Sequence, residues 1–181
     1  MFTYHPEGHQ ILLFFMAYQI KNLFDTIIWN DGPEYIFHHI AAGSAAFFGM
    51  YPGYAHFYAI FFMGISEIST AVLVLLANFD EKLGIDGFSD AFPRVKIVLG
   101  VFFVILFILC RVIMWPIATY FFLKDAQTVL KLPTPKVKAR KFYIISTMTS
   151  LTGLSILQAV WLFQIYAISK VEIAKLIETN A

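Results

Sequence analysis

The chain has 181 residues, of which 59% are hydrophobic and 18% aromatic, and its mean hydropathy is +0.71. This composition excludes an ordinary soluble domain and predicts an all-α polytopic bundle of about five transmembrane helices. The net charge is only +1 and the lysines lie in loops and at helix ends, so we expect no nucleic-acid partner.

The first predicted span covers residues 10–29, which is long enough to cross roughly 30 Å of hydrocarbon. No basic region precedes it and no small-residue cleavage site follows it, which argues against a cleaved signal peptide. Tyr18, Lys21 and Asp25 are three and four residues apart and therefore share one helical face. This face predicts either a Lys21–Asp25 ion pair turned toward neighbouring helices or the wall of a polar cavity.

The second predicted span, residues 34–51, carries the adjacent histidines His38 and His39. A run of small residues follows them, Ala41-Ala42-Gly43-Ser44-Ala45-Ala46. Small residues let another backbone approach closely, so this helix is expected at the centre of the bundle. Its histidines should then face protein or a cavity.

The third predicted span, residues 55–78, holds His56 near one end and Glu67 near its middle. A carboxyl group at that depth must carry a proton or be matched by a cation or a hydrogen-bond donor. The fourth span, residues 95–123, supplies such a cation in Arg111, about one turn before a kink expected at Pro116.

The fifth predicted span covers residues 142–169. It follows a basic connection, residues 124–141, which contains six Lys or Arg residues and a single acidic residue, Asp125. Five spans place the N-terminus and this basic connection on one side of the membrane. The loop of residues 79–92, which carries four acidic residues and one lysine, and the C-terminus lie on the other side. The positive-inside rule then puts the N-terminus in the cytoplasm, or in the matrix or stroma of an organelle. The single cysteine excludes an intramolecular disulfide, and no internal repeat or domain boundary is visible, so residues 1–181 are predicted to be one domain.

The histidine pair is the first candidate for chemistry. Consecutive helical residues point about 100° apart, so His38 and His39 are poorly placed to share one metal ion. Five histidines are too few for a di-iron membrane enzyme, and no metal is predicted. A bis-histidine haem between one of the pair and His56 has no specific support. The remaining alternatives are a general base or nucleophile beside Glu67, or simple hydrogen bonding within the bundle.

Glu67 and Arg111 are expected to form a buried salt bridge between spans three and four, since this would match both charges at once. Alternatively, Arg111 could bind the carboxylate or phosphate of a substrate. No residue is assigned as catalytic, although His38, His39 and Glu67 are the candidates. The predicted polar or lipid-binding pocket consists of Lys21, Asp25, His38, His39, His56, Glu67 and Arg111.

Several segments together resemble the TLC-domain family, the multi-pass lipid-related proteins that include the ceramide synthases. They are residues 18–25, Tyr35-Ile-Phe-His-His-Ile, Ser66-Glu-Ile-Ser-Thr, residues 102–112 and residues 161–170. The resemblance is to the non-synthase branch, because residues 64–70 lack the aspartates of the synthase motif. It also implies that one or two N-terminal spans usual in the family are missing.

These observations predict a TLC-like protein with a degenerate lipid-binding site, acting as a non-catalytic accessory subunit of a larger membrane protein complex. Its partners would be other integral membrane subunits and a bound phospholipid or sphingolipid, without a cofactor. The mitochondrial inner membrane and the endoplasmic reticulum are both compatible locations. The rival hypothesis is a lipid-modifying enzyme, an acyltransferase or a sphingolipid-related activity using the His-His pair and Glu67. A transporter or channel has less support, because no inverted repeat is found.

Overall fold

The computed structural model describes residues 3–50, 55–80 and 84–179. The structure is 88% helical, and the described residues form six helices and no strand, which confirms the predicted all-α class. The helices are α1 Pro6–Trp29, α2 Pro33–Met50, α3 His56–Ala77, α4 Phe88–Ala91, α5 Pro93–Leu130 and α6 Pro135–Thr179.

Four of these helices, α1, α3, α5 and α6, are long and apolar enough to cross a membrane. Helix α2, which corresponds to the second predicted span, has 18 residues and is not one of the four. Glu34 and the two histidines lower its mean hydropathy, and it packs between α1 and α6. The predicted end of this span at residue 51 lies outside the described residues.

Prolines begin four of the six helices, at Pro6, Pro33, Pro93 and Pro135, where a missing backbone N–H costs nothing. Between α1 and α2 the chain reverses within three residues. Asn30 adopts the left-handed conformation with φ 56°, and its N–H donates to the carbonyl of Thr26. This short turn makes α1 and α2 antiparallel neighbours.

The small residues of α2 form the packing seam at the centre of the bundle. The side chains of Ala41, Ala42, Ala45 and Ala46 are all buried. A side chain added at Gly49 would lie against Leu12 of α1. The structure thus confirms the close helix packing that the small residues predict.

Two of the long helices contain a π-helical segment, Ile60–Ile65 in α3 and Ile108–Met114 in α5. Helix α5 continues through Pro116, where a kink was expected. Its π-helical segment ends at Met114, two residues before this proline. Segments of this type are frequent at functional sites, because they widen the helix and redirect the side chains that follow. Glu67 lies just after the first segment, and Arg111 lies within the second.

The ends of the helices define two faces of the bundle. The N–H of His5 donates to Nδ1 of His56 over 3.2 Å, which places the starts of α1 and α3 together. The phenol of Tyr58 donates to Asp125 over 2.6 Å, so the C-terminal end of α5 lies at this same end. This is the arrangement expected from five alternating helices, with the N-terminus and the basic connection on one side. The basic connection predicted over residues 124–141 is mostly helical, since α5 continues to Leu130 and α6 begins at Pro135.

Candidate functional site

Arg111 is the centre of a polar cluster formed by three helices. Its Nε donates to Oγ of Ser69 over 2.9 Å, its Nη2 to Oγ1 of Thr70 over 2.7 Å, and its Nη1 to Oε1 of Gln158 over 3.3 Å. The arginine is only 7% exposed and Ser69 is fully buried. The planar guanidinium therefore joins α3, α5 and α6 in the interior of the bundle.

Glu67 completes this cluster from α3. Its Oε1 lies 3.8 Å from Nη2 of Arg111, so the predicted ion pair is present. The distance is longer than that of a charge-assisted hydrogen bond, and the carboxylate remains 26% exposed. Arg111 is consequently bound more closely by neutral oxygen atoms than by the carboxylate.

His38 approaches the same cluster from α2 through Trp161 of α6. The two rings meet edge to face with centroids 5.0 Å apart, and the Trp161 ring centroid lies 5.9 Å from the Arg111 guanidinium carbon. Such a distance is typical of a cation–π contact. His39 points elsewhere, with its Nδ1 2.7 Å from Oε1 of Gln19 on α1. The two histidine rings meet edge to face with centroids 5.1 Å apart, but His38 contacts α6 and His39 contacts α1.

Three buried polar atoms of this region have no hydrogen-bond partner among the described residues: His38 Nδ1, Gln158 Nε2 and Trp161 Nε1. The amide and indole nitrogens are donors, so they can receive a hydrogen-bond acceptor. Glu67 and Trp161 are both partly exposed, which leaves the cluster accessible at the edge of the bundle.

A small cavity lies beside these groups and is about the size of one water molecule. His38, Glu67, Arg111 and Gln158 line it together with apolar side chains. A histidine and a carboxylate therefore share one enclosed space, although that space does not accommodate an acyl chain.

The other residues of the predicted pocket lie away from this cluster. Lys21 and Asp25 form the expected ion pair within α1, and the Lys21 side chain is 70% exposed and the Asp25 side chain 41% exposed. His56 is buried at the opposite end of α3, beside the rings of Tyr4 and His9. A haem held by His56 and one of the histidine pair thus has no structural counterpart here. Among the described residues, no group of three His, Cys, Asp or Glu could hold a metal ion.

A family model described as the TLC domain, TRAM/LAG1/CLN8, matches residues 1–167. The chain belongs to the TLC-domain family. With its apolar helices, this TLC protein is an integral membrane protein that lies in the lipid bilayer. No curated protein and no solved structure matches the chain. Its assignment to the non-synthase branch and the missing N-terminal spans stay predictions.

Five residues that contact members of the predicted pocket were not predicted in this TLC protein. They are Gln19 beside His39, and Ser69, Thr70, Gln158 and Trp161 in the Arg111 cluster. The sequence could have indicated Gln19 and Gln158, since a side-chain amide within an apolar span needs a hydrogen-bond partner. It gave no such indication for Trp161, because tryptophan is also expected at membrane interfaces. Ser69 and Thr70 were visible only as part of the motif that contains Glu67.

Proposed function

We propose that this TLC protein is a non-catalytic accessory subunit of a membrane protein complex, and that it binds a lipid at the Arg111 cluster. The observation that carries the proposal is the set of partners around Arg111. Ser69, Thr70 and Gln158 accept hydrogen bonds from three of its five N–H groups, one at each nitrogen, so the guanidinium already holds helices α3, α5 and α6 together.

Two unpaired donors are buried in the cluster, and Glu67 and Trp161 are partly exposed, which supports the binding of a lipid oxygen that enters at this edge of the bundle. The N–H groups of Gln158 and Trp161 are suited to an acceptor such as the ester carbonyl or headgroup oxygen of a phospholipid or sphingolipid. The enclosed cavity is far too small for a fatty acyl chain, so the chains would lie along the outside of the bundle. This arrangement favours a bound structural lipid over acyl transfer inside the bundle.

The length of α6 supports a protein partner. Its 45 residues extend over roughly 67 Å, whereas the whole bilayer with its headgroups is about 40–45 Å thick. Residues near its C-terminal end remain apolar and exposed, among them Val171 and Ile173. Apolar side chains beyond the hydrocarbon are not covered by lipid, so another subunit is the natural occupant.

The test uses the full chain, isolated with an affinity tag from its native membranes in mild detergent. We expect it to migrate within a larger complex on a native gel and to retain phospholipid or sphingolipid detectable by mass spectrometry. The double variant His38→Ala/His39→Ala should leave the lipid composition of the membrane unchanged, as should the matched control His5→Ala. Isolation of the chain alone, without any other subunit or bound lipid, would overturn the proposal.

One observation favours a second candidate, a lipid-modifying enzyme. His38 and Glu67 line the same cavity, as a general base and its carboxylate would. This hypothesis requires a lipid precursor to accumulate in the His38→Ala/His39→Ala membranes but not in those with His5→Ala. The same lipid measurement therefore decides between the two functions.

A further inference from the structure

Positive charge is concentrated at the end of the bundle where α5 ends and α6 begins. Over residues 124–141 there are six Lys or Arg residues and one acid, Asp125, although the whole chain has a net charge of only +1. The carboxylate of Asp125 already accepts the hydrogen bond from Tyr58. We call this region the basic end, and its exposed lysines are Lys124, Lys131, Lys136, Lys138 and Lys141.

Two of these lysines lie on one face of α6 together with apolar side chains. Lys138, Lys141, Phe142 and Ile145 are spaced by three, four and seven residues, and all four are exposed. Thr134 secures the start of the helix, since its Oγ1 accepts the N–H of Val137 over 3.3 Å. The face thus changes from charged to apolar over about 10 Å along a helix whose beginning is capped.

This change matches the boundary of a bilayer. Phe142 is 67% exposed and lies on the hydrocarbon side of Lys141, where its ring can enter the acyl region. Lys138 lies about one turn before Phe142 and Lys141 directly before it, so both long side chains can extend their ammonium groups to the level of the lipid phosphates. The described residues supply no carboxylate partner for Lys138 or Lys141, so their charges are available to headgroups.

We propose that the basic end binds the headgroups of anionic phospholipids in preference to zwitterionic ones. The neighbouring apolar side chains favour a lipid over a free phosphate, because a soluble anion would gain nothing from Phe142 and Ile145. The site is separate from the Arg111 cluster and does not depend on the function proposed for that cluster.

The experiment reconstitutes the purified full chain into phosphatidylcholine vesicles containing a trace of spin-labelled phosphatidylserine or phosphatidylcholine. Electron paramagnetic resonance then measures the fraction of each labelled lipid that the protein immobilises. We expect the wild type to prefer phosphatidylserine by about fivefold at physiological salt. Lys138→Gln/Lys141→Gln should bring this preference to within about twofold of none, and about 1 M salt should abolish it in the wild type.

The matched control removes two lysines at the opposite end of the bundle, Lys96→Gln/Lys170→Gln, and should keep the preference. The charge-conserving variant Lys138→Arg/Lys141→Arg should keep it as well, which separates loss of charge from loss of folding. A wild type without preference would overturn the proposal, as would equal losses in the two glutamine variants. Release of a protein subunit by Lys138→Gln/Lys141→Gln, with no lipid preference in the wild type, would assign the basic end to an acidic protein partner instead.

Discussion

Replacing Arg111 by methionine is the most direct test of the polar cluster. Methionine keeps the apolar stem of the side chain but removes the three hydrogen bonds to Ser69, Thr70 and Gln158. Hydrogen bonds between polar side chains in membrane proteins contribute about 0.6 kcal/mol on average and up to about 1.7 kcal/mol. Three of them therefore contribute about 2 kcal/mol to the free energy of unfolding.

Loss of the ion pair with Glu67 should lower the free energy of unfolding by less than the loss of a fully buried pair would. Removing one member of a fully buried pair costs about 3–5 kcal/mol. Here the carboxylate is 26% exposed and 3.8 Å away, so water can solvate it after the substitution. We expect Arg111→Met to destabilise the protein by about 2–3 kcal/mol in total.

The distances also predict which partner is coupled most strongly to Arg111. Thr70 lies at 2.7 Å and Glu67 at 3.8 Å from the same nitrogen, so the coupling with Thr70 should be the larger. Double-mutant cycles combining Arg111→Met with Thr70→Val or with Glu67→Gln measure both couplings.

The free energy of unfolding can be followed by circular dichroism during titration with sodium dodecyl sulfate in mixed micelles. Arg94→Met is the control, because Arg94 is an exposed residue of the same helix, and we expect it to change stability by less than about 0.5 kcal/mol. An Arg111→Met protein as stable as the wild type would refute the structural role of the cluster. A Glu67 coupling larger than that of Thr70 would show that the ion pair, and not the hydrogen bonds, determines its stability.

Two further substitutions test contacts away from the cluster. A Cβ at Gly8 would lie 2.7 Å from the backbone oxygen of His56, so Gly8→Ala should lower the unfolding free energy by about 1–3 kcal/mol in the same titration. A Cβ at Gly100 would meet no atom of another helix within 4 Å, so Gly100→Ala should instead raise the unfolding free energy by about 0.5–1 kcal/mol through helix propensity. Equal effects at the two glycines would contradict the close contact between Gly8 and His56. Tyr58→Phe removes the donor to Asp125 and should lower the thermal unfolding temperature through a loss of about 1–2 kcal/mol; an unchanged temperature would show that this bond adds nothing.

Composition and local spacing were enough to predict the class of this protein and several of its local contacts. The excess of apolar residues indicated a chain in lipid, where helices are favoured because they pair their own backbone N–H and C=O groups. The spacing of four between Lys21 and Asp25 predicted their pair, and the small residues of α2 predicted its close packing. The ordered TLC segments predicted the family that the comparison confirms.

The partners of the buried polar residues required the tertiary structure. Glu67 and Arg111 were expected to pair because each needed an opposite charge, and they do approach each other. The shorter contacts of Arg111, to Ser69, Thr70 and Gln158, depend on how α3 and α6 are rotated about their axes. An apolar sequence with weak amphipathic character does not determine those rotations.

The distance between His38 and His56 was likewise determined by the tertiary structure. His38 and His56 both lie in apolar helices next to one another in the chain, and sequence alone allowed them to meet. The antiparallel course of α2 and α3 places them near different ends of the bundle, with His56 beside Tyr4 and His9. The π-helical segment before Glu67 has no proline beside it in the sequence, whereas the one around Arg111 ends two residues before Pro116, where the sequence predicts a distortion of the helix.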